Sequence, residues 1–164
     1  MAKLSVTPKS NSQTAVAAAM QEVLTSTFNT YLLTHQYHWN VEGPQFYNLH
    51  KLFEDQYNEL WTSIDEIAER IRALGAYAMP QGEAALSKQA GRYASVTEKK
   101  AANADASARK MLEQLVDMNE ETMDAAQKTK ELAEKAGDDE SVDVMVGRIT
   151  AHQKAVWMLK SLLK

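Results

Sequence analysis

Residues 35–50 read HQYHWNVEGPQFYNLH and connect two helical patterns through a break at Gly43 and Pro44. Pro cannot continue a helix interior, and Gly supplies the backbone freedom that a sharp corner requires. The stretch therefore predicts a corner between two helices. Three of the four histidines in the chain lie within it, so the corner is also the first place to look for chemistry.

Helical periodicity extends outward from this corner in both directions. A first helix is predicted from Ser10 or Ser12 to about Asn40, and a second from Phe46 to about Leu74. A third is expected from a capping box at 95–98 to about residue 135, and a fourth from about residue 138 almost to the C-terminus. The positions expected to face the core are Val16, Met20, Leu24, Phe28 and Leu32 on the first helix, Leu49, Leu52, Phe53, Leu60, Ile64, Ile67 and Ile71 on the second, Met111, Leu115, Met118 and Leu132 on the third, and Val142, Met145, Ile149, Val156 and Leu159 on the fourth.

The pattern predicts an all-α four-helix bundle with a short extra helix near residues 82–89, in the long middle connection. Residues 1–11 are predicted to be a flexible arm, and residues 12–164 a single domain. The formal charge of -4 and the pI near 5.6 argue against a basic body that binds nucleic acid. No apolar run suits a signal peptide or a membrane span, so a cytoplasmic location is expected.

Two pairs of ionisable residues at i, i+4 spacing lie near one face of the second helix: His50 with Glu54, and Asp65 with Glu69. Asp65 follows His50 by roughly 22 Å along the helix axis, so one metal ion with ligand bonds of about 2 Å cannot join both pairs within one chain. An antiparallel two-fold contact between second helices would bring the two pairs together, with His38 as a further imidazole. A solvated helix face is the alternative reading.

A sulfur-free site of imidazole and carboxylate suits iron, with manganese or zinc as further metals that the same ligands accept. The chain has no cysteine, so a thiolate site is excluded. His35, one turn before His38, could be a third ligand, but an ordinary hydrogen-bonded or surface histidine is the favoured reading. His152 is expected to be structural. The methionines are expected to pack in the core.

The stretch HWNVEGPQFYNLHKLFEDQYNELWTSIDEIAER, residues 38–70, resembles the signature of the Dps family, the mini-ferritins named as DNA-binding proteins from starved cells. Residues 138–161 are also similar to the last helix of that family. The resemblance implies a ferritin-like fold, a homo-dodecamer built from two-fold dimers, and an inter-subunit ferroxidase site. It assigns His38, His50, Asp65 and Glu69 to that site, with Glu54 where the family usually has Asp.

The resemblance further implies oxidation of Fe(II), preferably by hydrogen peroxide, and storage of ferric mineral inside the shell. Trp39, beside His38, is a candidate trap for a stray oxidising equivalent, with plain packing as the alternative. In similar proteins the start of the last helix lines an iron-entry pore, for which the candidates here are Asp138, Asp139, Glu140 and Asp143. Simple helix N-terminal acids are the alternative.

Direct DNA binding would rest on an arm that carries only Lys3 and Lys9. Twelve such arms would add through multivalency, although twelve acidic bodies repel DNA. The expectation is therefore that DNA is protected chemically, by removal of iron and peroxide. The competing hypothesis is a nucleoid-associated structural protein that binds and condenses DNA directly, and mobility shifts at low and physiological salt distinguish the two.

Overall fold

The computed structural model describes residues 11–79 and 104–164. In those ranges the chain forms four helices and no strand. The helices are α1 (Asn11–Asn40), α2 (Phe46–Ala73), α3 (Ala104–Ala136) and α4 (Asp139–Leu162). The predicted all-α class and the predicted helix ends near 40, 46, 74 and 135 are confirmed. The arm, the cap at Ser95 and the short extra helix lie outside the described residues.

Glycine ends three of these segments in backbone conformations that other residues rarely adopt. Gly43 has φ 106° at the α1–α2 corner, Gly75 has φ 91° after α2, and Gly137 has φ 67° between α3 and α4. Asp138 then caps α4, because its side chain accepts a hydrogen bond from the backbone N–H of Ser141. The Arg70 side chain donates to Asp138 at 2.5 Å and so ties the end of α2 to the start of α4.

The four helices pack as a bundle in which α1 lies along both α2 and α3, and α3 lies along α4. Two apolar clusters fill its interior. The cluster beside the corner includes Leu33, Tyr37, Leu49, Phe53, Leu115 and Leu159. The other includes Val16, Met20, Ile67, Ile71 and Met145. Burying such side chains contributes about 1.5–3 kcal/mol each, which makes these clusters the main source of stability.

A polar layer separates the two clusters. Thr27, Thr30, Thr34, Asn119 and Thr122 are all buried there. Thr30 and Thr34 donate to the carbonyl one turn earlier, at 2.9 and 2.7 Å, and the hydroxyls of Thr30 and Thr122 lie 3.1 Å apart across the α1–α3 contact. Hydrogen bonding of this kind is what makes the buried hydroxyls of Thr30, Thr34 and Thr122 tolerable in a core.

Three predicted core positions belong to neither apolar cluster. Phe28 and Leu32 are only partly buried, because a strict four-residue repeat advances about 40° per step around a helix and leaves the core face after three steps. Leu132 was predicted to point inward and is 40% exposed. It lies about 100° from the buried stripe of α3, where Thr129 and Ala133 are buried instead. Met118 and Met145 are core residues, as predicted.

None of the helices in the described parts of the chain is long and apolar enough to cross a membrane.

Candidate metal centre

His38 at the end of α1 and His50 at the start of α2 face each other across the corner. Their rings are stacked with centroids 3.7 Å apart. Nδ1 of His38 lies 2.8 Å from the carbonyl oxygen of His50, and Nδ1 of His50 lies 2.8 Å from the carbonyl oxygen of His38. A carbonyl only accepts, so both rings carry the proton on Nδ1. The lone pair of each Nε2 is therefore available to a metal, in the arrangement that orients metal-binding histidines.

Burial fixes this geometry on one side and leaves it open on the other. His38 is 9% exposed, and the neighbouring core residues Tyr37, Val41 and Leu49 hold the corner against α3 and α4. His50 is half-buried. The imidazoles are thus held by a rigid corner at the boundary between the core and the surface.

Glu54 lies one turn beyond His50 and is half-buried. Its carboxylate forms a close ion pair with Lys51. The hydrogen bond from Lys51 lowers the pKa of Glu54, burial opposes part of that shift, and the positive charge of Lys51 lowers the pKa further. Glu54 is therefore an anion one turn beyond His50, and a metal ion that binds its carboxylate would have to displace Lys51.

Replacing Lys51 with Gln is expected to tighten metal binding about 2- to 5-fold, because a metal ion then no longer has to displace a weak, solvent-exposed ion pair from the Glu54 carboxylate. Calorimetric titration of the purified protein with Zn(II) measures the effect. Lys130→Gln is the matched control, since Lys130 also pairs with a glutamate on its own helix but lies on α3. Equal affinities in wild type and Lys51→Gln would show that Lys51 does not compete with the metal.

Asp65 and Glu69 are exposed. They lie about three and four helical turns beyond Glu54 on α2. In residues 11–79 and 104–164, no three His, Cys, Asp or Glu side chains come close enough together to hold a metal ion. A single chain thus brings His38, His50 and Glu54 to one end of α2 and leaves Asp65 and Glu69 on their own. This is the separation that the spacing predicted.

The other histidines lie apart from this arrangement. His35 lies 3.2 Å from the Tyr31 hydroxyl and stacks on the Tyr57 ring at 4.0 Å. Burial is the main cause that lowers the pKa of His35, and the neighbouring His38 adds to the shift. His152 is buried on α4, with Nδ1 2.8 Å from the Asn119 side-chain oxygen, which agrees with a structural role. Trp39 is 63% exposed and contacts the ring of His35.

The acidic residues at the start of α4 divide into two kinds. Asp138 is buried by its cap and by Arg70, whereas Asp139, Glu140 and Asp143 are exposed. Glu140 lies 3.8 Å from Arg70. Of the four candidate pore residues, three are therefore exposed to solvent. The fourth, Asp138, is the helix cap. Lys3 and Lys9 lie outside the described residues.

Tyr31, Tyr57 and Trp61 were missed as neighbours of the site. Tyr57 meets the ring of His38 edge-on at 5.1 Å, and Tyr31 lies 5.4 Å from Trp61. The signal was present in the spacing, because Tyr57 follows His50 by two turns and Tyr31 precedes His38 by two turns. Apolar periodicity alone does not show which aromatic residues of two facing helices meet.

Comparison with known proteins adds an independent line of argument. The family model described as ferritin-like domain matches residues 17–164. The DNA protection during starvation protein 2 of Bacillus anthracis is 35% identical over 129 residues, which cover 79% of this chain and 83% of that protein. The general stress protein 20U of Bacillus subtilis is 33% identical, with 81% and 86% covered.

Solved structures with a similar fold come from proteins of the same kind as these relatives. The Dps protein of Vibrio cholerae O1, described as a member of a broad superfamily of ferritin-like diiron-carboxylate proteins, has a TM-score of 0.76 and 31% identity, covering 93% of this chain and 91% of its own. A Dps protein from Bacillus brevis has a TM-score of 0.78 and 26% identity, covering 95% and 99%.

Proposed function

The chain belongs to the Dps family of ferritin-like proteins, and from this premise we propose that it oxidises Fe(II) and stores the ferric product. Hydrogen peroxide is the preferred oxidant, and the store is the interior of a shell of twelve subunits. Iron is the substrate and cargo here. The observation that carries the proposal is the pair of stacked imidazoles, each with its Nε2 lone pair free for a metal.

The site is completed by a second copy of the chain. An antiparallel two-fold contact between α2 helices would set Asp65 and Glu69 of one subunit opposite His50 and Glu54 of the other. The exposed large aromatic side chains of these helices support the contact. Trp39, Phe46, Tyr47 and Trp61 are between 46% and 72% exposed, on the same two helices as the candidate ligands. Large apolar side chains grouped on a surface mark an interaction face.

The ligand types fit the chemistry of iron oxidation. Neutral imidazole binds Fe(II), and carboxylates bind Fe(III), which is the harder cation. Two Fe(II) ions held together supply the two electrons that peroxide needs to become water, so hydroxyl radical is not released. Glu54 is one methylene longer than aspartate, so it reaches further from α2. Zinc or manganese would occupy the same ligands as competitors.

The exposed acids Asp139, Glu140 and Asp143 would attract Fe(II) if they surround a narrow pore, because like-signed charges in a confined opening raise the local concentration of cations. Removal of iron and peroxide in this way protects DNA chemically. That outcome matches the names of the relatives, which are called DNA protection proteins.

Co-assembly of two inactive variants tests the shared site. One subunit type carries His38→Ala/His50→Ala, and the other carries Asp65→Asn/Glu69→Gln. Each alone is expected to lose rapid Fe(II) oxidation. When the two are unfolded together and reassembled, every mixed dimer regains one intact site. Random pairing then restores about one quarter of the wild-type sites.

The measurement is the initial rate of ferric absorbance after anaerobic Fe(II) loading and addition of one peroxide per two iron ions. Recovered activity in the co-assembled sample, and none in a mixture of separately assembled variants, supports the inter-subunit site. No recovery despite formation of mixed shells would contradict it. Slow oxidation in the wild type itself, with precipitate outside the protein, would refute ferroxidase function altogether.

A further inference from the structure

A continuous set of aromatic rings connects the candidate metal centre to Trp61 on the outer face of α2, the face proposed above to meet a second copy of the chain. From His38 the rings run through Tyr57, 5.1 Å away, and His35, 4.0 Å from Tyr57, to Tyr31 and Trp61. Centroid separations along this ring chain stay between 4.0 and 5.6 Å. Rings at such separations are close enough for an electron to pass from one to the next.

One tyrosine in the ring chain has a base in hydrogen-bond contact. The Tyr31 hydroxyl lies 3.2 Å from Nδ1 of His35, and the two rings are 5.6 Å apart. In the Nε2–H tautomer His35 accepts the phenolic proton. A phenol loses an electron far more readily when its proton has somewhere to go. No hydrogen bond of this kind involves the Tyr57 hydroxyl among the described residues, although Tyr57 lies closer to His38.

We propose that Tyr31, hydrogen-bonded to His35, is the residue that gives up an electron when a one-electron oxidant arises at the candidate metal centre. The oxidant class is hydroxyl radical, formed when a single Fe(II) rather than a pair reduces peroxide. The source of the oxidant rests on the proposed function. The hydrogen-bonded pair itself rests on the geometry of α1.

The electron and proton balance is complete. Hydroxyl radical accepts one electron through the ring chain and becomes hydroxide. The Tyr31 O–H bond breaks, its proton moves to Nδ1 of His35, and a neutral phenoxyl radical remains. His35 returns its proton to solvent, where hydroxide becomes water. A later Fe(II) reduces the phenoxyl radical with uptake of one proton, which restores Tyr31 and yields one Fe(III).

Freeze-quench electron paramagnetic resonance tests the proposal. The assembled protein is loaded anaerobically with one Fe(II) per site, so that single-iron events occur, and is then mixed with peroxide. A neutral tyrosyl signal is expected in wild type, lost in Tyr31→Phe and lowered in His35→Phe, which keeps a ring but removes the acceptor. Tyr57→Phe is the matched control and is expected to keep the signal.

A second measurement separates this proposal from the iron chemistry. Flash photolysis of a ruthenium polypyridyl complex with persulfate oxidises the protein without iron, and the same variants are compared. If neither the wild type nor any variant oxidises iron, the ferroxidase proposal fails. The photochemical signal still decides whether Tyr31 is the electron donor. A tyrosyl signal that persists in Tyr31→Phe, or that disappears in Tyr57→Phe alone, overturns the proposal. So does a wild-type protein that, at one Fe(II) per site, consumes peroxide without any tyrosyl signal.

Discussion

Replacing Asp65 with Asn and Glu69 with Gln together is expected to slow peroxide-driven Fe(II) oxidation by at least about 100-fold. Loss of groups that merely orient metal ligands costs about 10- to 100-fold, so the loss of two direct ligands should cost more. The amides keep the shape of the carboxylates and remove their charge, so ferric product is no longer held. Initial rates of ferric absorbance and the iron retained after gel filtration measure both consequences.

The charge-matched control is Asp55→Asn/Glu66→Gln. Both residues are exposed carboxylates on α2, and the double variant changes the net charge by the same amount. The control is expected to oxidise iron at the wild-type rate. Exposed substitutions of this kind usually alter stability by less than about 0.5 kcal/mol, so neither variant should unfold. Equal rates in wild type and Asp65→Asn/Glu69→Gln would falsify the inter-subunit site.

The helices could be read from the sequence because each has a marked end. Gly43 with Pro44, Gly75 and Gly137 break the apolar pattern, and each of these glycines adopts a positive φ. The polar layer of the core could not be read in the same way. Thr30 and Thr122 can be buried because their hydroxyls meet across α1 and α3. A pattern of apolar residues gives no information about such a polar partner.

The candidate metal centre was likewise predictable only in part. The Gly-Pro corner indicated that His38 and His50 could be neighbours, and the structure stacks their rings. The two hydrogen bonds that fix the Nδ1–H tautomers depend on the backbone path of the corner, which no spacing rule supplies. Asp65 and Glu69 stay a prediction, because their ligand role requires a second chain.

Acidification is expected to destabilise the folded protein through His152. This residue is 1% exposed, and burial lowers its pKa to about 3, with a smaller contribution from the positive charge of Arg148. In the unfolded chain its pKa is near 6.5. The unfolded state therefore binds the proton first, so the stabilising contribution is complete above about pH 6.5 and is lost as pH falls toward 3.

No group in contact with His152 stabilises its protonated, positively charged form. Nδ1 faces the Asn119 side-chain oxygen, and Nε2 lies 3.5 Å from the Arg148 guanidinium. The carboxylate of Glu59 is already held by Arg148 at 2.5 and 3.0 Å. Asp55 and Lys154 line the same groove between α2 and α4. A protonated His152 would therefore meet a buried cation without a free anion beside it.

The free energy of unfolding is expected to be about 2 kcal/mol per protomer lower at pH 5 than at pH 7.5 through this residue alone. Chemical denaturation at one protein concentration measures it, because assembly makes the midpoint concentration-dependent. His152→Gln keeps a donor for Asn119 but cannot titrate, so its free energy of unfolding should change about 2 kcal/mol less over the same pH interval.

Asn119→Asp provides the opposite change at the same contact. A carboxylate opposite Nδ1 would let His152 keep its proton in the folded state, so folded and unfolded chains bind equal numbers of protons and the pH dependence flattens. Both variants alter one hydrogen bond, and they flatten the dependence for different reasons: one removes the titrating group, the other stabilises its charged form. A wild-type pH dependence that survives in both variants would show that His152 does not carry it, and would point to the carboxylates of the surface instead.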